Sequence, residues 1–231
     1  MKVYLASPSN QLQADAVRDM PVLLSYALYD KFMDRYQQCF SRLLIDSGAY
    51  SQFNTGKKID IAKYADWAAR WEDHADAVAG LDDISGDWRQ SLKNYAAMPQ
   101  GFPTIHDTDP PELLKDIVQL AVERKHWIGI GIAPPREGKE RFVRWACDNI
   151  PEDIHIHGWA LRLYTKVRRL DSVDSTNWFR DAFKVRKVYP WLTFGESLEI
   201  IVKRYKRENR MIGDESQRMM FSESVEVCDQ G

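Results

Sequence analysis

A single-domain α/β barrel of the (β/α)8 TIM type is the fold class that the sequence predicts, and three observations point to it. Eight short apolar segments recur along the chain, each bounded by polar or turn residues. Helical periodicity fills the gaps between the later segments, so strands alternate with helices and pair in parallel through right-handed crossovers. Two segments, Leu43-Leu44-Ile45-Asp46-Ser47-Gly48-Ala49-Tyr50 and Leu170-Asp171-Ser172-Val173-Asp174-Ser175-Thr176, carry carboxylates toward a turn and stand about 125 residues apart. Acids so distant in sequence meet only where their strands lie side by side. A parallel barrel gathers such groups at the C-terminal ends of its strands. The length, 231 residues, is the usual size for one such barrel.

In chain order the expected strands are Lys2–Ala6, Val22–Ala27, Leu43–Asp46, Ala77–Asp82, Phe102–His106, Trp127–Ile132, Ile154–Trp159 and Leu170–Asp174. After the third, Ile61, Tyr64, Trp67, Ala68 and Trp71 recur at helical spacing, with Asp60 placed as an N-cap. Asp87 to Met98 forms the next helix. Pro110-Pro111 opens another, whose apolar face is Leu113, Leu114, Ile117, Leu120 and Ala121. Glu140 to Cys147 follows Gly138. Beyond Trp178, Ser197 to Asn209 reads as one long basic helix with Leu198, Ile201, Val202 and Tyr205 on one face. The barrel is expected to occupy residues 1–211. The polar, acidic stretch Ile212–Gly231 reads as a poorly ordered tail.

Composition narrows the function classes. The formal net charge of −2 gives no global attraction to nucleic acid, but the charge is uneven. Leu161 to Arg210 holds 13 Lys and Arg against 6 Asp and Glu. Cys39, Cys147 and Cys228 have no close spacing, so neither a disulfide framework nor a zinc cluster is expected. No apolar run approaches the roughly 18 residues of a membrane span. The segment after Met1 is too short for a signal h-region, so a cytoplasmic setting and no membrane partner are expected.

The chemistry lies in the acids and histidines. Asp46 follows three apolar residues, which makes it either a functional carboxylate or a cap, and Ser47-Gly48 favours a turn that exposes backbone N–H groups. Asp171 and Asp174, three apart, lie on opposite faces of a strand; Asp174 is the one nearer the C-terminal end, and Asp171 is assigned a supporting role. Asp82-Asp83 ends another strand, and only one of the two can face a site. His106 also stands at a strand end. His155-Ile156-His157 places two imidazoles on one face, as a metal-dependent barrel hydrolase would need. Gly129-Ile130-Gly131 marks close approach of backbone to a ligand or a neighbour.

Taken in order, these motifs resemble the tRNA-guanine transglycosylase superfamily, and most closely its short members, the DpdA-type DNA 7-deazaguanine transglycosylases of phages and bacterial DNA-modification clusters. The family's Asp-Ser-Gly-Gly-aromatic strand end is matched by Asp46-Ser47-Gly48-Ala49-Tyr50. Its Phe-Asp-Glu is matched by Leu81-Asp82-Asp83, its Gln turn by His106, its Gly-Leu-Ala by Gly131-Ile132-Ala133 and its Met-Gly by His157-Gly158. Its Asp-x-Phe-Asp-Cys strand is matched by Asp171-Ser172-Val173-Asp174-Ser175, and the order agrees over about residues 43 to 178.

The resemblance implies that Asp174 attacks C1′ of a target nucleoside, displaces guanine and forms a covalent glycosyl-enzyme, which a free 7-deazaguanine then resolves. Asp46 is implied as the acid/base, Asp82 or Asp83 as reader of the guanine edge, Gly131 as a backbone contact and Tyr50 as a stacking ring; Ser47, Gly48, His106, His157 and Gly158 complete the implied base pocket. The family's Cys-x-Cys-x-x-Cys zinc site is missing, since only Cys228 lies downstream, so the implied polymer is DNA rather than tRNA. No cofactor or metal is implied. A homodimer or partner modification proteins are compatible with this reading. The alternatives are a tRNA-guanine transglycosylase, a metal-dependent barrel hydrolase using His155 and His157, a nucleoside hydrolase, and a non-catalytic nucleic-acid-binding subunit.

Overall fold

The structure is a computed structural model that describes residues 1–29, 31–36, 39–132, 139–161 and 169–226, with backbone alone for Phe32 and residues 211–226. Nine parallel strand segments make one sheet: β1 (Lys2–Ala6), β2 (Pro21–Ser25), β3 (Arg42–Asp46), β4 (Ala77–Ala79), β5 (Gly101–Phe102), β6 (Thr104–His106), β7 (Trp127–Gly131), β8 (His155–Gly158) and β9 (Ser172–Ser175). Their spatial order is β5-β4-β3-β2-β1-β9-β8-β7-β6. The two ends of that order are consecutive pieces of one extended segment. Pro103 interrupts the segment because proline brings no N–H to a ladder. On one side the Phe102 carbonyl accepts the Gly80 N–H at 2.8 Å; on the other the Pro103 carbonyl accepts the Gly129 N–H at 2.8 Å. The fifth expected strand thus appears as two segments, and through it the sheet curls round into a barrel.

The helices alternate with these strands: α1 (Gln11–Ala16), α2 (Ala49–Thr55), α3 (Ile61–Ala69), α4 (Trp88–Ala97), α5 (Leu113–Glu123), α6 (Glu140–Asn149), α7 (Asn177–Val188) and α8 (Phe194–Glu226). Two short 3-10 segments, Tyr26–Leu28 and Lys31–Tyr36, join β2 to β3. Capping follows the expected chemistry. Asp60 accepts the Ala62 and Lys63 N–H groups at the start of α3, and Asp87 accepts that of Gln90 at the start of α4. The long C-terminal helix exceeds its expected span at both ends, and its backbone stays helical through Glu226. Residues 227–231, with Cys228, lie outside the described residues. No helix among the described residues is long and apolar enough to cross a membrane.

Strand alternation divides the core in two. Val3, Leu5, Val22, Leu24, Leu43, Ile45, Val78, Ile105, Ile128, Ile130, Ile156 and Val173 point outward and pack under the helices. Tyr4, Ala6, Leu23, Leu44, Ala77, Ala79 and Phe102 point inward and fill the barrel, with Trp127 and Trp159 against them. The inward set is small on one side and aromatic on the other, which lets side chains fill the barrel as a packed core.

The basic helix α8 is fastened to the barrel. Leu198, Ile201, Val202 and Tyr205 are buried, and one face of the helix packs along α7, α1 and β1. Asn209 then reaches the edge of β1, where its Oδ1 accepts the Val3 N–H at 2.9 Å and its Nδ2 donates to the Val3 carbonyl at 3.3 Å. Replacing Asn209 by Ala leaves both backbone groups short of a partner. It should lower unfolding stability by about 1–3 kcal/mol, read from urea titration. An unchanged midpoint would show that water replaces the amide at no cost.

Candidate active site

At the C-terminal ends of the strands the barrel opens into a cavity of about 740 Å³. Its lining includes Asp46, Gly48, Tyr50, Asp82, His106, Gly131 and Asp174, seven of the residues singled out from the sequence. Strand parity explains the selection. Leu44 points inward, so Asp46 does too; Ser172 and Asp174 share one face; Phe102, Thr104 and His106 share another. Ser47 and Gly158 have the opposite parity and do not line the cavity; Asp82 and Asp83 lie beyond the end of β4 at Ala79, where strand parity no longer applies, and of the two only Asp82 lines it. Ser47 instead accepts the Ala49 N–H at 3.3 Å. Asp83 turns to Ser85, whose N–H it accepts at 2.8 Å, so Asp82 is the acid of the pair that faces the site. His157 has inward parity but lies fully buried and outside the cavity lining.

Asp171 is at the other end of the barrel. Its Oδ2 accepts the Ile156 N–H at 2.8 Å and its carbonyl accepts the Lys2 N–H at 2.6 Å. There it borders a second cavity of about 480 Å³ with Lys2, Arg42, Lys206 and Arg210. These two contacts tie β8 and β1 to the residue that leads into β9.

Asp46 is held where water is scarce. Burial drives its carboxyl up, the Ser25 hydroxyl and Gly48 N–H offset part of the rise, the neighbouring Asp82 and Asp174 add to it, and the net result is about 6. A carboxyl that titrates near 6 can give or take a proton at neutral pH. Gly48 makes the turn that follows. Its φ is +85°, and a Cβ there would collide with the Ala27 side chain, so no other residue fits. The short helix α2 starts at once and brings Tyr50 to the rim, 48% exposed.

Asp82 and His106 form a buried pair. His106 Nε2 lies 2.5 Å from Asp82 Oδ2. Burial acts to lower the imidazole pKa, but Asp82, with Asp109 and Asp107 nearby, outweighs it and the net direction is upward. The Asp109 carboxylate accepts the His106 backbone N–H at 2.7 Å, fixing the strand end. Gly131 makes room for the pair: a Cβ at that position would fall on the His106 ring. The close approach read from Gly131 is therefore to a neighbouring side chain. Ile132 borders the cavity beside it, and Ala133 lies outside the described residues.

Asp174 is anchored through one oxygen. Its Oδ1 accepts the Ala160 N–H at 2.5 Å and lies 3.6 Å from His157 Nε2. Among the described residues no other donor to the carboxylate occurs. Ala160 adopts φ +51°, a left-handed conformation rare for alanine, in the turn that aims this N–H. Beneath, Ser172 Oγ lies 2.9 Å from His157 Nδ1 and 2.7 Å from His155 Nε2. The two histidines do share a face, as their spacing requires, but they converge on a serine. Among the described residues no group of three or more His, Cys, Asp or Glu is arranged to hold a metal ion.

Sequence reasoning missed several lining residues. Ser25 is the strand-end hydroxyl beside Asp46; Trp159 borders the cavity and donates to Thr104 Oγ1 at 3.0 Å; Arg180 comes from α7 and has no carboxylate partner among the described residues. The period-two parity that selects Asp46 would also have selected Ser25 and Trp159. Arg180 sits on a helix with no local signal to mark it.

No protein-family model matches the chain, and no curated protein matches it. Among solved structures it is similar to one described as a cube-shaped, highly porous protein cage designed by fusing symmetric oligomeric domains. The TM-score there is 0.47 at 8% identity, over 98% of this chain and 80% of that chain.

The raised Asp46 carboxyl has a stability consequence. The folded state binds its proton more tightly than the unfolded chain, so stability is lost as pH rises from the ordinary value of 3.8 through about 6. The penalty at pH 8 is on the order of 3 kcal/mol. Asp46→Asn should therefore gain stability relative to wild type between pH 4 and pH 8, measured by chemical denaturation. A difference that is flat with pH would show that Asp46 titrates normally.

Proposed function

We propose that this chain is a DNA guanine transglycosylase that exchanges guanine for a 7-deazaguanine derivative through a covalent Asp174 glycosyl-enzyme, a modification that protects phage DNA from restriction. The observation that carries the reading is the meeting of Asp46, from β3, and Asp174, from β9, in one cavity at the strand ends. Six motifs in family order point to the same two acids. The cavity, about 740 Å³, is large enough for a nucleoside, and the half-exposed Tyr50 ring stands at its rim.

The chemistry follows from the two acids' different surroundings. Asp174 Oδ2 forms a bond to C1′ as the bond from C1′ to guanine N9 breaks, and the electron pair leaves with the base. Asp46, with its carboxyl raised to about 6, supplies the proton that the departing base takes up. In the second half the incoming 7-deazaguanine gives its N9 proton to Asp46 and bonds to C1′ from the face that guanine left, releasing the Asp174 carboxylate on the opposite face. The oxocarbenium-like transition state is stabilised by the anionic carboxylate beneath it. Asp82 meets the base edge as half of the His106 pair. That differs from the glutamine of the family's pattern and points to a distinct 7-substituent. Arg180, at the rim without a carboxylate partner among the described residues, suits a backbone phosphate. No cofactor enters the scheme. The reaction places the protein in the cytoplasm, where the host or phage DNA is.

The test is incorporation of labelled 7-cyano-7-deazaguanine into guanine-containing DNA, with tRNA in parallel. Label should enter DNA, and Asp174→Ala should abolish it, by at least roughly 10³-fold. Asp46→Ala should cripple it as well. Label entering tRNA would keep the chemistry and replace the substrate. Exchange at the wild-type rate in Asp174→Ala would remove Asp174 from the reaction.

A further inference from the structure

His157 is fully buried beneath the cavity, and its Nε2 has no hydrogen-bond partner among the described residues. Orphaned buried nitrogens are rare in folded proteins because losing water without gaining a partner is costly. This nitrogen faces Asp174 Oδ1 at 3.6 Å. The other nitrogen, Nδ1, is 2.9 Å from Ser172 Oγ, and the same hydroxyl is 2.7 Å from His155 Nε2.

Counting protons decides what His157 presents to Asp174. The Ser172 hydroxyl has one hydrogen and two lone pairs, so it donates to at most one of the two imidazoles. If His155 donates to Ser172 and Ser172 donates to His157 Nδ1, the proton of a neutral His157 is on Nε2. If Ser172 donates to His155, then His157 donates from Nδ1, and a neutral ring would turn a lone pair on Nε2 toward a carboxylate oxygen. That second arrangement is repulsive unless Nε2 is protonated too. An ionised Asp174 therefore favours the arrangements that place an N–H on Nε2. The first arrangement needs no charge on either ring, and His155 is kept neutral by burial, with its pKa pushed down to about 3.

The ring cannot turn away. His157 stands edge-on to Trp159 at 4.4 Å and to Tyr4 at 6.0 Å, and His155 stacks on Trp127 at 3.6 Å. The groups that face His157 are Asp174 and Ser172 from β9, Tyr4 from β1, and Trp159 and His155 on its own strand and the turn beyond. A small rotation about the soft terminal torsion of Asp174 closes the remaining gap.

We propose that His157, oriented by Ser172 and His155, is a positioning residue for Asp174: its Nε2–H, together with the Ala160 N–H, holds Oδ1 and leaves Oδ2 free to bond to C1′. This rests on the reading of Asp174 as the nucleophile. When Oδ2 is esterified, Oδ1 becomes the ester carbonyl and keeps both donors. When the incoming base expels the carboxylate, the same donors receive the returning charge.

Two measurements test it. In wild-type protein with 15N-labelled histidine, NMR should show His157 protonated on Nε2 at neutral pH, and Asp174→Asn should move that resonance. A bare Nε2, or a resonance unmoved by Asp174→Asn, overturns the contact whether or not the protein exchanges bases. In the exchange assay, Ser172→Ala and His157→Leu should lower kcat by about 10- to 100-fold, with KM for the free base within about twofold. Retained kcat with a raised KM overturns the positioning role. Wild-type protein that exchanges no base overturns the nucleophile reading alone, and the NMR result still decides whether His157 holds Asp174.

Discussion

Everything in this molecule depends on the alternation of side chains along parallel strands that curl into a ring. An inward residue has nowhere to go but the barrel, and an outward one nowhere but under a helix. Apolar residues settle the middle of the barrel: Tyr4, Leu23, Leu44, Ala77, Ala79 and Phe102 form a packed plug. Polar residues with the same parity are pushed to its upper end, where the plug stops and the cavity begins. Asp46, Asp174 and His106 are therefore neighbours because of parity and register, although more than a hundred residues separate the first from the second.

The same constraint makes the site costly. Carboxylates in a ring of low-dielectric side chains lose water and repel one another, and Asp46 answers with a raised pKa. The other acids are held by specific donors. Asp82 has the His106 imidazole, and Asp174 has the Ala160 N–H with the His157 ring below. The strained Ala160 turn and the obligatory glycine at position 48 are the backbone counterparts of this arrangement. Strain of this kind persists where the surroundings over-determine it, and here it surrounds the acids assigned to chemistry.

Much of this was legible in the sequence. All eight expected strands are present, and the fifth is split at Pro103, a residue whose missing N–H announces the break. Asp60 caps the helix it was expected to cap, and Asp87, read as the first residue of its helix, is that helix's cap. The opposite parity of Asp171 and Asp174 follows from their spacing alone. What stayed hidden depends on packing between distant segments. Whether Asp82 or Asp83 faces the site turns on where β4 ends. That Gly131 serves the His106 ring needs the pairing of β6 with β7. The shared Ser172 hydroxyl, which takes up both histidines of the apparent metal motif, is visible only once β8 and β9 are in register. Helices α1, α2 and α7 were not foreseen: two are short, and the third follows so closely on β9 that strand and helix signals merge.

The most direct test of the account is to trap the covalent intermediate. Protein incubated with a guanine-containing DNA oligonucleotide, denatured before the free base is added and then digested, should yield one cross-linked peptide, carrying Asp174 joined to the abasic sugar. An adduct on a different residue, or none under conditions where exchange proceeds, would contradict a mechanism built on Asp174.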